Sequence, residues 1–287
     1  MIDFTNCKEI FNEYKGSEKK KTIIYNSDKY LVKFPDPIRA KNKNISYINN
    51  AFSEYIGSNI FMLCGFNVQK TILGTYNYNN KNKIVCACQD FTKENIILYE
   101  FESLALSSNP DKKIDTEIKD IIEVLESNQE KIDVNDTKKN FYDMFIIDYI
   151  IGNTDRHNGN WGFLLNKENN QVTFAPIFDC GSSLNPLLED KEIENLDDTE
   201  IKNLSLNTFS CLKENGKRIH YTTYLKSLKN DDLNQALLRI FPKIDIKKIN
   251  KFIDNIECIS TVRKDFYKNI INNRYEILKK LYKDLMK

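Results

Sequence analysis

Histidine and tryptophan are almost missing from this 287-residue chain, which has two of the first and one of the second. So few histidines exclude any three-histidine zinc site. No C-x-x-C pair occurs among the seven cysteines, which stand at positions 7, 64, 86, 88, 180, 211 and 258. That scatter and the odd count point to reduced thiols and a cytoplasmic chain. Nowhere do about 18 apolar residues run together, so no membrane span is expected. The opening "MIDFTNCKEIFNEYKGSEKK" is acidic early and lacks an apolar centre, which excludes a secretory signal, and the closing "KDLMK" has no lipidation pattern. A dominant charge sign is missing too: 42 Lys and Arg meet 41 Asp and Glu, so no global field draws the chain to nucleic acid. The short run Lys19, Lys20, Lys21 reads as a solvated turn.

What is present is the composition of an ordered protein with a sizeable core, 41% hydrophobic with 17 Phe and 15 Tyr. No internal repeat and no Pro- or Gly-rich linker divides it, yet the pattern changes along its length. Residues up to about 92 mix strand and helix signals, and later ones are nearly all helical in period. The expected fold class is α+β in two lobes joined by a hinge: a β-rich N-lobe over 1–92 and a mostly helical C-lobe over 93–287.

In the first lobe "KKTIIYNSDKYLVKFP" reads as a hairpin, with strands at 22–25 and 30–34 around "NSD". Alternation puts Leu31 and Lys33 on one face and Tyr30, Val32 and Phe34 on the other. Apolar residues at 52, 55, 56, 60 and 63 give a helix ended by Gly65, and "VQKTILGTYN" and "NKIVCACQDF" give two more strands. Cys86 and Cys88 share one face of the last, where packing explains them better than metal ligation.

In the second lobe "DTEIKDIIEVLESNQEKI" predicts an amphipathic helix capped by Asp115 or Thr116. "NFYDMFIIDYII" predicts a buried one, inside which Asp148 needs a hydrogen bond and is suggested as a brace for the loop that follows. "WGFLLN" and "QVTFAPIFD" form a further hairpin, and from about Asn195 onward helix is expected to follow helix. His220 has no evident partner, and Trp161 reads as a structural anchor.

Chemistry concentrates in "GNTDRHNGNWGFLL" and "FDCG". Asp155 and Asn160 are five residues apart, and Asp179 closes the second strand of the hairpin that follows. Alone, such a pair serves as well to cap and turn a loop. Phosphoryl transfer from ATP needs a carboxylate for the attacking hydroxyl and oxygen ligands for magnesium. Protein kinases supply these as D-x-x-x-x-N, a short hairpin and D-x-G. The first lobe then offers Lys33 for the α and β phosphates, Glu54 to fix it, Leu31 to pack on adenine, and Gln89, Asp90 and Phe91 as a hinge strand. Gly16 in "YKGSEKKK" would permit a phosphate-covering turn, although one glycine cannot satisfy G-x-G-x-x-G.

With "YKGSEKKK", "YLVKFPD" and "CACQDF", these stretches resemble the HipA-like serine/threonine kinases, most closely their short CtkA-type members, over about residues 14–184. The D-R-H-x-x-N core is shared with phosphatidylinositol kinases. The resemblance implies that Asp155 is the catalytic carboxylate, that Asn160 and Asp179 ligate Mg2+, that Lys33 contacts the ATP phosphates, and that His157 braces the loop or Asp179. It also implies that Ser17 in the phosphate loop is a candidate for autophosphorylation, where its new charge would repel nucleotide. Only about 13 residues precede that loop, so the extra N-terminal domain of HipA, with its antitoxin and DNA roles, is not expected. The expected acceptor is a protein, with neither nucleic acid nor membrane involved. A lipid or small-molecule kinase and a nucleotide-binding pseudokinase stay open. The stretch "GSSLNPLLEDKEIENLDDTE" is either an activation-type segment or solvated loop.

Overall fold

Strand alternation decides the first layer. The computed structural model describes residues 1–11, 20–35, 48–108 and 115–287. Six strands, β1 (Ile2–Asp3), β2 (Lys8–Ile10), β3 (Lys20–Tyr25), β4 (Asp28–Lys33), β5 (Thr71–Tyr78) and β6 (Lys81–Gln89), form one sheet in the order β1-β5-β6-β4-β3-β2. On its outer face Tyr30, Val32, Phe34, Val85 and Ala87 build a small core of their own with Phe4 and Ile23. Leu31 and Lys33 take the inner face, in register with Cys88 and Cys86. Both cysteines are fully buried, and all seven thiols are free. Lys20 and Lys21 belong to β3 and not to a turn; the Lys21 ammonium meets Glu9 and donates to the Tyr76 hydroxyl at 2.8 Å.

Helix α1 (Asn50–Leu63) lies under the inner face, and Gly65 ends it with φ +85°, as its lack of a side chain permits. It packs on β5 and β6 above and on α4 (Val134–Ile151) below, so its apolar residues belong to the main core and not to the sheet's outer one. Gly57 makes this approach possible: a Cβ there would stand 2.7 Å from the Cβ of Cys180.

A three-stranded sheet joins β7 (Ile96–Glu100), β8 (Gly162–Asn166) and β9 (Val172–Phe174), so the expected hairpin gains a third strand on the far side of β8. Helix α2 (Phe101–Ser108) follows β7, and α3 (Ile118–Ser127) packs on α4. The α3 cap is a correction. Glu117 and not Asp115 or Thr116 precedes the helix, because those two side chains are engaged elsewhere: Asp115 takes Lys213, and Thr116 donates to the Cys211 carbonyl.

The C-terminal third is not helix throughout. After α5 (Asp190–Ile193) and α6 (Asp198–Leu206) comes a hairpin, β10 (Phe209–Glu214) and β11 (Lys217–His220). The break "KENGKR" is its turn, with Asn215 and Gly216 both at positive φ. Helices α7 (Tyr221–Ser227), α8 (Asp231–Ile240), α9 (Ile246–Asp254) and α10 (Thr261–Leu285) complete the described residues. His220 is not without partners, since its Nδ1 accepts from the Thr223 amide and caps α7. The acidic stretch after Asp179 is docked rather than loose: Ser53 donates to the Ser183 carbonyl at 2.6 Å, and Arg263 binds Asp190.

Candidate active site

Helix α4 fixes where the site begins. Its C-cap Gly152 is left-handed (φ +63°), and the chain turns at once into the 153–160 loop. The buried Arg274 side chain covers that glycine and donates to the carbonyls of Ser205 (2.7 Å) and Ile150 (3.2 Å) and to Thr208 Oγ1 (2.9 Å). A Cβ on residue 152 would lie 2.4 Å from its Nη2.

One buried ion pair holds the loop. Asp148, fully inside α4, accepts from Arg156 Nε (2.9 Å) and Nη2 (3.0 Å) and from Asn153 Nδ2 (3.0 Å). The same guanidinium donates through Nη1 to the carbonyls of Asn160 (2.8 Å) and Phe178. Arg156 thus ties together the helix, the far end of the loop and the residue before Asp179. The brace expected of Asp148 acts through this arginine, to which sequence reasoning gave no role. The signal was there: an acid on an apolar helix requires a buried partner, and the next loop carries one arginine.

Within the loop, the Asp155 carbonyl accepts from the His157 amide (2.8 Å) and from Asn160 Nδ2 (2.7 Å). The amide nitrogen of Asn160 is therefore occupied, and its oxygen is the atom left for a ligand. His157 braces the loop, since its Nδ1 accepts from the Gly159 amide at 3.0 Å. The Asp155 carboxylate makes no hydrogen bond among the described residues and is half-buried. Trp161 is a structural anchor, stacked on Phe101 with ring centroids 4.3 Å apart.

The expected strand does not reach Asp179: β9 ends at Phe174, and the segment beyond it is positioned from the other side by backbone bonds from the Gln69 amide to the Ile177 carbonyl and from the Ile177 amide to the Asn67 carbonyl. Asp179 adopts φ +56°, a conformation unusual for a residue with a side chain. Lys33 Nζ lies between Glu54 Oε2 (2.7 Å) and Asp179 Oδ1 (2.8 Å), and the second Glu54 oxygen accepts from the Cys180 amide at 3.1 Å. The fold therefore unites Lys33, Glu54 and Asp179, with Leu31 on the Lys33 face of β4. Of the hinge segment, the Gln89 amide bonds to the Lys70 carbonyl and the Asp90 amide to that of Lys29, both at 2.8 Å. The Phe91 amide has no partner among the described residues, and its ring lies 5.8 Å from that of Phe178. Gly16 and Ser17 lie outside the described residues.

The sequence matches the HipA-like C-terminal domain family over residues 14–251. This chain belongs to that family. It is 39% identical over 283 residues to the serine/threonine-protein kinase CtkA of Helicobacter pylori (strain J99), a match spanning 95% of this chain and 85% of the relative. The crystal structure of a H. pylori proinflammatory kinase CtkA agrees with a TM-score of 0.89 at 38% identity, over 99% of this chain and 97% of the other. HipA of Shewanella oneidensis MR-1, solved with HipB and operator DNA, agrees with a TM-score of 0.53 at 13% identity, over 93% of this chain and 65% of that one, a likeness of fold. The two-lobed α+β architecture of the HipA-like family is thus the architecture of this chain.

Electrostatics separates the two carboxylates of this HipA-like site. Burial raises the Asp155 pKa, and the nearby Asp179 charge adds to the rise against the pull of His157, Arg156 and Arg218. Burial also opposes ionisation of Asp179, but the Lys33 ammonium outweighs it and holds that carboxyl below its ordinary range. The two carboxyls are thus shifted in opposite directions. A group of three or more His, Cys, Asp or Glu able to enclose a metal is absent among the described residues. The donor set, one carboxamide oxygen and one carboxylate, instead fits Mg2+, which binds through few protein oxygens and completes its shell with phosphates and water.

Proposed function

We propose that this chain is an ATP- and magnesium-dependent serine/threonine protein kinase that works in the cytoplasm on a protein acceptor, without nucleic acid or membrane. The observation that carries the reading is the ammonium of Lys33 held between Glu54 and Asp179, beside a loop whose Asp155 carboxylate makes no hydrogen bond among the described residues. Asn160 and Asp179 would hold magnesium, whose chemistry is to neutralise charge on the transferring phosphoryl group. Lys33 orients the α and β phosphates, and the segment 89–91 borders adenine. The acceptor hydroxyl oxygen bonds to the γ-phosphorus as the bond from that phosphorus to the β–γ bridging oxygen breaks. ADP leaves with the electron pair, and the hydroxyl proton passes to Asp155.

The membership in a family with a named protein kinase supports this reading, as do the raised pKa of Asp155 and the lowered one of Asp179. No helix among the described residues is long and apolar enough to cross a membrane. The test is phosphoryl transfer from labelled ATP by purified protein, with the modified residues mapped by mass spectrometry. Asp155→Asn should lower the rate on the order of 10²–10⁴-fold, with an unchanged circular dichroism spectrum. Asp179→Asn should also abolish the magnesium dependence of nucleotide binding. Full activity in both variants would overturn the assignment.

A further inference from the structure

Beside Asp155 the surface opens into a groove of about 610 Å³, walled on one side by the 153–160 loop and on the other by the β10–β11 hairpin. Its charge is one-sided. Asp155 is the one carboxylate among the residues lining it, whereas the hairpin contributes Lys213 and Arg218. Lys213 is held by Asp115 Oδ2 at 2.6 Å. Arg218 is exposed, and among the described residues its hydrogen bonds run to carbonyls: Nε to Ser210 (2.9 Å), Nη2 to Thr154 (3.3 Å) and to Phe209 (3.4 Å). These bonds fix the guanidinium next to the peptide unit that precedes Asp155 without neutralising it. At the same wall the Phe209 ring is 46% exposed, although a residue of that size is usually covered. Its face is supported edge-on by His220, with centroids 4.9 Å apart.

We propose that this groove receives the acceptor polypeptide, and that Arg218 selects acceptors carrying an acidic side chain within two residues of the phosphorylated Ser or Thr. The inference rests on the kinase reading and deepens it. An extended chain advances about 3.3 Å per residue, so with the acceptor hydroxyl at Asp155 the next one or two side chains fall on the guanidinium that holds the Thr154 carbonyl. A carboxylate there forms charge-assisted hydrogen bonds with a preoriented donor, while a lysine meets the like charge of Arg218. Phe209 supplies an apolar wall against which the acceptor chain lies. Arg218 is therefore a specificity residue for the acceptor, distinct from the groups that hold ATP.

The test uses the full chain with ATP, Mg2+ and a set of peptides, each with one central Ser or Thr and Glu, Ala or Lys at each of the two positions on either side. At low salt the wild type should favour the Glu peptide over its Lys counterpart roughly tenfold in kcat/KM, a preference that shrinks as salt rises. Arg218→Glu should invert the preference, and Arg218→Lys should keep its sign. The ratio of two peptides on one enzyme cancels any general loss of activity from a weakened hairpin. Equal use of acidic and basic peptides by the wild type would overturn the proposal and leave the kinase reading intact. So would an acidic preference that survives Arg218→Glu. Transfer to no peptide and to no residue of the chain itself would overturn the kinase reading, and this proposal with it.

Discussion

The helical and the sheet sides of the site are held by ion pairs of opposite character. On the helical side, Arg156 and Asp148 are each about 1% exposed and saturated by hydrogen bonds, so nothing arriving from solvent can compete for them. On the sheet side, Lys33 bridges Glu54 to an Asp179 side chain that is 40% exposed. A polyanion entering there can take over part of the ammonium's hydrogen bonding. The first pair is closed to solvent and the second is open to it. Charge pairs of similar length thus do different work according to whether water, or a ligand in its place, reaches them.

The largest expected effect breaks the buried pair. Asp148→Ala leaves the Arg156 charge unpaired and should cost about 3–5 kcal/mol, read as a lower urea midpoint at unchanged slope. A loss near that of an exposed pair would erase the contrast between the two sides. Replacing both, as Asp148→Leu with Arg156→Met, should return much of the stability yet leave phosphoryl transfer impaired, because the carbonyls of Asn160 and Phe178 lose their common donor.

A smaller effect tests how the sheet side is carried. Gly57→Ala would press α1 away from Cys180, costing about 1–3 kcal/mol by overpacking. It should also loosen the contacts of Glu54 with Lys33 and the Cys180 amide, lowering the rate about 10²-fold, as misplacement near 1 Å does. An unchanged rate would mean that α1 does not set the lysine.

The smallest effect is on pH. Asp155 must be ionised to accept a proton, and its folded pKa is raised, so the rate should fall on acidification with a midpoint above the ordinary carboxylate value. Asp179 has the opposite shift. Its contribution to stability is present above the unfolded pKa and is lost as pH falls through the lower folded one. A rate profile flat down to the ordinary Asp range would remove the desolvation argument for Asp155.

Sequence periodicity was enough for β3 to β6, α1 and α4, because alternation and a 3.6-residue repeat report which face is buried. That Asp155 and Asn160 meet in one loop was legible for a different reason: their spacing is set by a short local connection. Arg156 was harder, since a guanidinium in a polar loop looks solvated until its position under Phe178 is known. The β10–β11 hairpin went unread although "ENGK" carries the two turn residues that a tight hairpin demands. Its flanking strands are half-buried and charged, so their alternation is faint. Strand β7 escaped because it pairs with β8 across more than sixty residues of chain, a contact that no local pattern announces. The α3 cap was misplaced because tertiary partners claimed the side chains that propensity assigns to capping.

Gly152 carries a consequence for how this chain can drift. Its left-handed backbone penalises any replacement, and the guanidinium of Arg274 separately occupies the volume a side chain would need. Trimming residue 274 would clear the volume and leave the torsion unfavourable. A suppressor screen starting from a substituted position 152 should therefore recover reversion to glycine far more readily than compensation at 274, making that locus a one-way gate in the evolutionary paths open to the fold.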